Sequence, residues 1–423
     1  MAKEADDVQP GRRISRRRAL GTIGAATAIA GAAIAVRRSD AIPAPSTDGD
    51  VVAFHGEHQA GVVTPAQGRL EIAAFDLTTD RIADVRELLR AWTDAAALMT
   101  AGRPVGPTDA DPLLPPPDTG EAVGLPAARL TLTFGLGPTL FDVVGEDRFG
   151  LASRRPAALA DLPPLAGDEL DPGRSGGDLV VQACADDPQV AFHAIRNLAR
   201  VGRGLAAIRW SQLGFSRTSS AGRVGPTPRN LQGFKDGTNN LDAADATVMD
   251  ADVWVPNDAT PAWMRGGTYL VTRRIQMLIE TWDRTSMGEQ ESTIGRRKES
   301  GAPLGRTHEF DPVPLAAKDA SGEPVIPLDA HVRLAAPSEN GGAAILRRGY
   351  SFTDGIDPVT GELDAGLFFI CFQRDPRTQF VRVQRHLSRH DALNEYIKHV
   401  GSGIFAIPPG TDAGGYVGET LLG

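Results

Sequence analysis

Three short stretches of this chain hold side chains that could do chemistry together. In Gly233-Phe234-Lys235-Asp236-Gly237-Thr238-Asn239-Asn240, one carboxylate sits between two glycines, with an aromatic ring before it and amide side chains after it. By local physics alone Lys-Asp-Gly-Thr is a tight turn, because glycine accepts positive φ and aspartate bonds back to its own backbone. The same glycines allow a second use, in which the backbone comes close to a flat ligand and holds one acid above it. The stretch Asp329-Ala330-His331-Val332-Arg333-Leu334 presents a single histidine, either a hydrogen-bonded structural residue or a metal ligand. In Ile345-Leu346-Arg347-Arg348-Gly349-Tyr350-Ser351 two adjacent arginines on an extended chain must point to opposite faces. One can be solvated, and the other then needs an acid or an anion inside the protein.

The other histidines offer no metal pair at helical spacing beside a carboxylate. His386 and His390 come nearest, with Glu395 beyond them, in a segment (SRHDALNEY) that reads more simply as a solvated helix start. Cys184 and Cys371 both lie in apolar runs, so a disulfide framework is not expected and a thiolate cluster is excluded by number. A metal, if present, is held by histidine or carboxylate or arrives inside a cofactor.

These groups must be positioned by elements, and the chain is long enough at 423 residues for two domains. Residues 69–77 read as a strand, 81–100 as an amphipathic helix, 129–134 as a strand, and 137–141 as the start of a short helix. Proline- and glycine-rich loops fill 103–127 and 155–175. Then come a strand at 178–185, a helix at 188–201 capped by Asp186 or Asp187, and a strand at 208–215. Strand, helix, strand, strand, helix, strand is the order of a ferredoxin-like α+β unit. A similar order recurs after residue 230, with 268–278, 331–335, 344–351 and 367–373 extended and 391–398 helical. The expectation is therefore an α+β fold of tandem ferredoxin-like units, divided into residues 45–222 and 223–423.

Residues 1–44 belong to a different category. Arg12 and Arg13 precede Ser15-Arg16-Arg17-Arg18-Ala19-Leu20, and a weakly apolar, Ala/Gly-rich stretch follows to Val36. This resembles a twin-arginine export signal, cut near Ala41 or Ala44; the bland reading is a basic tail. That route carries folded proteins, so a cofactor inserted in the cytoplasm is expected, with the twin-arginine translocase as a partner. The destination would be periplasmic, or extracellular and cell-envelope. The first 44 residues carry eight Lys/Arg against four Asp/Glu, so a whole-chain charge of −9 leaves −13 on residues 45–423. A body that acidic excludes nucleic acid as a partner.

Taken together, the three stretches resemble the dye-decolourising peroxidase family. The resemblance covers nearly the whole body: GFKDGTNN, DAHVRLA and ILRRGYSF, then GAPLGRTHEFD (301–311), LDAGLFFICFQRD (363–375) and GSGIFAIPPG (401–410). The bacterial, twin-arginine-exported branch that includes deferrochelatases is most similar. The resemblance implies paired ferredoxin-like units of the dimeric α+β barrel superfamily, with haem b held mainly by the second. It implies His331 as the proximal iron ligand, Asp236 as the distal acid and Arg347, the first of its pair, as the distal arginine. Arg296 would contact a haem propionate, while Gly237, Thr238 and Asn239 would lie against the haem edge, as would the turn Ala336-Pro337-Ser338. The acid that orients the proximal histidine is not identifiable.

That set of residues suits peroxide chemistry. An aspartate can take a proton from the inner oxygen of hydrogen peroxide and return it to the outer one, and a fixed guanidinium stabilises the leaving oxygen. An ordinary aspartate titrates near ~4, so such a base keeps working at about pH 4–5. The reducing donors implied are dyes, phenols or similar small molecules, reacting at the haem edge or at aromatic radical sites among Trp92, Trp210, Trp254, Trp263, Trp282 and the tyrosines. A second reading is a haem-handling protein of iron uptake, with partners in that system, that releases iron from haem or oxidises ferrous iron. A third is a haem-binding protein without turnover. Whether the chain forms a homo-oligomer stays open.

Overall fold

The computed structural model describes residues 50–107, 111, 113–216 and 226–423. The expected export signal lies outside the described residues. The strand β1 (Arg69–Leu77) is buried on both faces, with Ile72, Ala73, Ala74 and Phe75 all at 0% exposure. Leu70, Ile72 and Ala74 point into one apolar cluster, and Ala73 and Phe75 into another beneath two helices. Those helices are α1 (Ile82–Thr100) and α2 (Pro188–Val201). Asp187, not Asp186, caps α2, its carboxylate accepting from the amides of Gln189 and Val190, with Pro188 at the first helical position. Asp186 instead accepts from Gly68 and Arg129.

With β2 (Thr131–Leu136), β3 (Leu179–Ala185) and β4 (Ala206–Phe215), β1 forms an antiparallel sheet in the order β2-β3-β1-β4. The second half supplies α3 (Ala246–Asp252), β5 (Thr268–Met277), α4 (Ile279–Arg284), α5 (Met287–Ile294) and α6 (His331–Leu334). It continues with β6 (Leu346–Arg347), β7 (Tyr350–Ile356), β8 (Leu363–Gln373), α7 (Phe380–His390), β9 (Ile397–Ile407) and α8 (Glu419–Leu422). Its strands run β9-β5-β8-β7; with the short β6 and β7 counted as one interrupted strand, each half has its last, first, third and second strand side by side, the ferredoxin-like arrangement. Single pairings, Leu136 with Ala406 and Phe215 with Ser351, join the two sheets into a closed barrel. Its interior is filled by Leu70, Ile72, Leu270, Phe352, Phe372 and Phe405.

Several expectations need correction. Residues 331–335 are not extended: His331–Leu334 is one helical turn, too short for a 3.6 period to emerge from alternating types. Residues 391–398 are not a helix either. Asp391 ends α7 and caps a short 3-10 turn (Ala392–Glu395), after which β9 begins. The segment read as a helix start is a helix end. The 344–351 strand is interrupted at Arg348 and Gly349, which separate β6 from β7. Neither arginine of the pair is free in solvent: Arg348 is 7% exposed and bonds the Thr64 carbonyl and the Gln67 side chain inside the barrel. Both cysteines are buried and unpaired. Among the described residues no helix is long and apolar enough to cross a membrane.

Candidate functional site

The outer face of the second sheet, helix α7 and the loops around residues 230–240 and 330–345 enclose a cavity of about 450 Å³. Every residue that the resemblance implied for a haem site lines it: Asp236, Gly237, Thr238, Asn239, Arg296, His331, Ala336, Pro337, Ser338 and Arg347. The loop that carries Asp236 turns on Gly233 (φ +84°) and Gly237 (φ +128°), conformations that disfavour any side chain. Asp236 is fixed by its amide, which donates to the Pro228 carbonyl at 2.8 Å, and by its Oδ1, which accepts from Arg347 Nη1 at 2.8 Å.

Arg347 is held from behind. Asn240 donates to its carbonyl and accepts from its amide, both at 2.8 Å, so one side chain closes the loop onto β6. Lys235 pairs with Glu309, which also accepts from Thr238 at 3.0 Å and from Thr227. Burial alone would raise the Glu309 carboxyl, but these bonds outweigh it and keep it below the ordinary range. The motif at 301–311 thus ties down the motif at 233–240. Asn240 and Glu309 lie within quoted motifs, yet nothing local marked either as a positioning group.

His331 opens α6, and its Nδ1 lies 2.6 Å from Oδ2 of Asp391. An ionised carboxylate accepts only, so Nδ1 carries the proton, and in the neutral ring Nε2 keeps its lone pair. Burial pulls the imidazole pKa down, but the charge and hydrogen bond of Asp391 outweigh it, and the net shift is upward. The other oxygen of Asp391 accepts from the Leu393 amide at 2.9 Å, and the Ala392 amide donates to the Asp329 carbonyl at 3.0 Å. The orienting acid is therefore Asp391, sixty residues along the chain from its partner. No sequence signal connects them.

Among the described residues, two donors in this cavity have no partner. Arg296 is 5% exposed; its Nη1 donates to the carbonyls of Gly301 and Glu309, while Nη2 is buried and unbonded. Gln232 Nε2 is buried and unbonded as well. Orphaned donors on a cavity wall call for an acceptor, and a cationic one calls for an anion. Further along, Arg273 is ion-paired with Asp168 and lies beside His399, whose pKa burial and the neighbouring guanidinium push down to about 3.

Among the described residues no group of three or more His, Cys, Asp or Glu could hold a metal ion. A single imidazole with a free Nε2 supplies one ligand only. Apolar walls (Ile275, Leu367, Phe369, Val383 and Leu387), one axial nitrogen and an unpartnered guanidinium fit a flat iron macrocycle with acidic arms.

Comparison with known proteins gives two family-model matches, Dyp-type peroxidase, N-terminal, over residues 59–216 and Dyp-type peroxidase, C-terminal, over residues 227–412. The deferrochelatase of Escherichia coli strain K12 is 41% identical over 419 residues, 96% of this chain and 97% of that protein. Among solved structures, ferric DtpA from Streptomyces lividans is similar with a TM-score of 0.81 and 44% identity, covering 88% of this chain and 97% of that one. A DyP-type peroxidase from Cellulomonas bogoriensis gives 0.79 and 43%, covering 88% and 99%.

Proposed function

The chain belongs to the Dyp-type peroxidase family and is a haem-dependent peroxidase, and we propose that it holds haem b through His331, with Asp236 and Arg347 on the peroxide side. Haem, when bound, supplies the redox chemistry and stores the oxidising equivalents taken from peroxide. The remaining steps belong to the chain. Asp391 keeps the His331 Nδ1 protonated and so raises the donor strength of Nε2. The Asp236 carboxylate removes the proton from the inner oxygen of hydrogen peroxide and returns it to the outer oxygen, which leaves as water. The Arg347 guanidinium, 2.8 Å from Asp236, stabilises charge on that leaving oxygen, and Asn240 keeps it in place. Arg296 Nη2 and Gln232 Nε2 would take a propionate. Gly237, Thr238, Asn239 and the turn Ala336-Pro337-Ser338, which line the cavity, would lie against the haem edge.

The observation that carries this reading is the gathering of an Asp–Arg pair, an Asp-held histidine and an orphaned arginine on one cavity. Its test is the Soret spectrum of the haem-loaded protein after one equivalent of hydrogen peroxide. A rapid shift that reverses on adding a dye or phenol is expected. Asp236→Asn should slow the shift by about 10²–10⁴-fold with haem content unchanged. An Asp236→Asn protein as fast as the parent rules out that residue as the base.

The deferrochelatases at 41% identity favour a second role for the same pocket, release of iron from haem in exchange for two protons, alongside partners in iron uptake. Metal-free protoporphyrin fluorescence appearing without peroxide would reveal it. We further propose that residues 1–44 are a twin-arginine signal and that the mature protein works outside the cytoplasmic membrane. Alignments covering 96% of the chain must reach into that stretch, and they are to deferrochelatases. Residues 45–222 and 223–423 are the proposed domains.

A further inference from the structure

Helix α7 is the wall between the cavity and the outside. Val383, Gln384 and Leu387 line the cavity, while Arg382, Arg385 and Arg389 on the other side are exposed. The three arginines follow at i, i+3 and i+7 and so form one stripe. Residues 376–390 contain no Asp or Glu, in a body that is otherwise strongly acidic. Among the described residues none of the three is in an ion pair, in contrast to Arg377, which pairs with Asp375; Arg382 lies over Gly341.

The stripe is not explained by the helix. Like charges three and four residues apart repel, and Arg382 stands in the first turn, where the helix dipole disfavours a cation. Near the C-terminal end of α7, Leu328 is 68% exposed on the loop that the Ala392 amide ties down through Asp329. The C-terminal end of the stripe is also the start of a short route inward: His390 is followed by Asp391, whose Oδ2 is 2.6 Å from Nδ1 of His331. No tryptophan or tyrosine offers an alternative entry at the surface, because all five tryptophans and all four tyrosines are buried.

We propose that the outer face of α7, with Leu328, is the docking site of an acidic electron-donor protein that delivers electrons to the proximal side of the haem. The proposal rests on the peroxidase reading. Two reduced partners, each giving up one electron, and two protons convert one hydrogen peroxide into two waters. An anionic lipid surface fits less well. Asp329, Glu339 and Glu395 are exposed around the stripe, and a uniformly negative plane would meet them, whereas a protein patch can be patterned to avoid them.

The test uses the haem-loaded full chain with reduced plastocyanin as an acidic donor, reduced mitochondrial cytochrome c as a basic one, and hydroquinone as a neutral one. Binding is read separately by calorimetry with redox-inert, cadmium-substituted plastocyanin. Plastocyanin is expected to bind and to be oxidised faster than cytochrome c, with both effects weakening as salt rises. Joint Arg382→Glu, Arg385→Glu and Arg389→Glu replacement should lower its kcat/KM and affinity by about tenfold or more, with Soret band and hydroquinone rate unchanged. The Gln versions of the three should give a smaller loss in the same direction. Plastocyanin binding that is absent or indifferent to the reversal overturns the proposal, and reversal-sensitive binding only to phosphatidylglycerol vesicles overturns it in favour of lipid. Failure to oxidise hydroquinone would instead strike the peroxidase reading, and the binding arm would still decide the surface.

Discussion

Asp391 uses its two oxygens for two unrelated tasks, one on the His331 Nδ1 and one on the Leu393 amide that starts the 3-10 turn. Replacing it with Asn keeps the cap in part but removes the negative charge from the imidazole. Asp391→Asn is therefore expected to raise the haem reduction potential while leaving the fold intact, which spectroelectrochemistry would read. An unchanged potential would mean that the pair only orients the ring. Far from the cavity, Glu71 poses a different residue-scale problem. It is 4% exposed, its Oε2 has no partner, and burial raises its pKa to about 7. An acid whose folded pKa exceeds its unfolded value holds its proton longer in the native state. Stability must then fall as pH rises from the ordinary carboxyl value of 4.5 towards about 7, and stay low above that. Glu71→Gln should remove the slope and stabilise the protein at pH 8 by roughly 1–3 kcal/mol, seen as a higher Tm. A Gln variant that melts at or below the parent at pH 8 contradicts the reading.

Among the elements, those whose sequence period could express itself were legible, and those set by distant contacts were not. β1, α1, β3, α2 and β4 are long and bounded by glycine, proline or a capping aspartate, so their patterns survived tertiary packing. The single turn at His331 and the 3-10 turn after Asp391 are shaped by partners that no local pattern encodes, among them the carbonyls of Leu315, Ile326 and Pro327 that hold Arg333. The same divide runs through the site. Asp236, Arg347 and His331 were visible in their motifs, whereas Asp391 became visible only once two loops met. Gly295 shows how tightly these turns are set. It ends α5 in a left-handed conformation (φ +85°), and a Cβ there would collide with Val332 Cγ1, next to His331. Gly295→Ala is expected to cost about 1–2 kcal/mol of stability and to broaden or shift the Soret band as His331 is displaced. A normal band in a destabilised protein would show that the strain is absorbed elsewhere.

For the whole molecule, the two sheets close one barrel, yet among the described residues the cavity is lined only by those between Asn230 and His399. The first half touches this region through Asp168 on Arg273 and the Glu169 amide on the His399 carbonyl, and the sheets are joined at single pairings, Leu136 with Ala406 and Phe215 with Ser351. Haem that binds only the native state stabilises it by mass action, about 4 kcal/mol at a thousandfold excess over Kd. Because the contacts proposed for it fall in one half, that stabilisation should not be spread evenly. Stripping the haem is expected to lower Tm and to raise amide exchange in α6, α7 and the loops at 230–240 and 330–345, where an unpaired donor such as Gln232 Nε2 would lose its acceptor. The core of β1, β3, α1 and α2, built from side chains such as Phe75, Trp92 and Leu198 that do not border the cavity, should keep its protection. Hydrogen exchange followed by mass spectrometry on the two forms decides this. Uniform loss across both halves would mean that the barrel unfolds as one cooperative unit and that the single-pair seams transmit the haem's stabilisation in full.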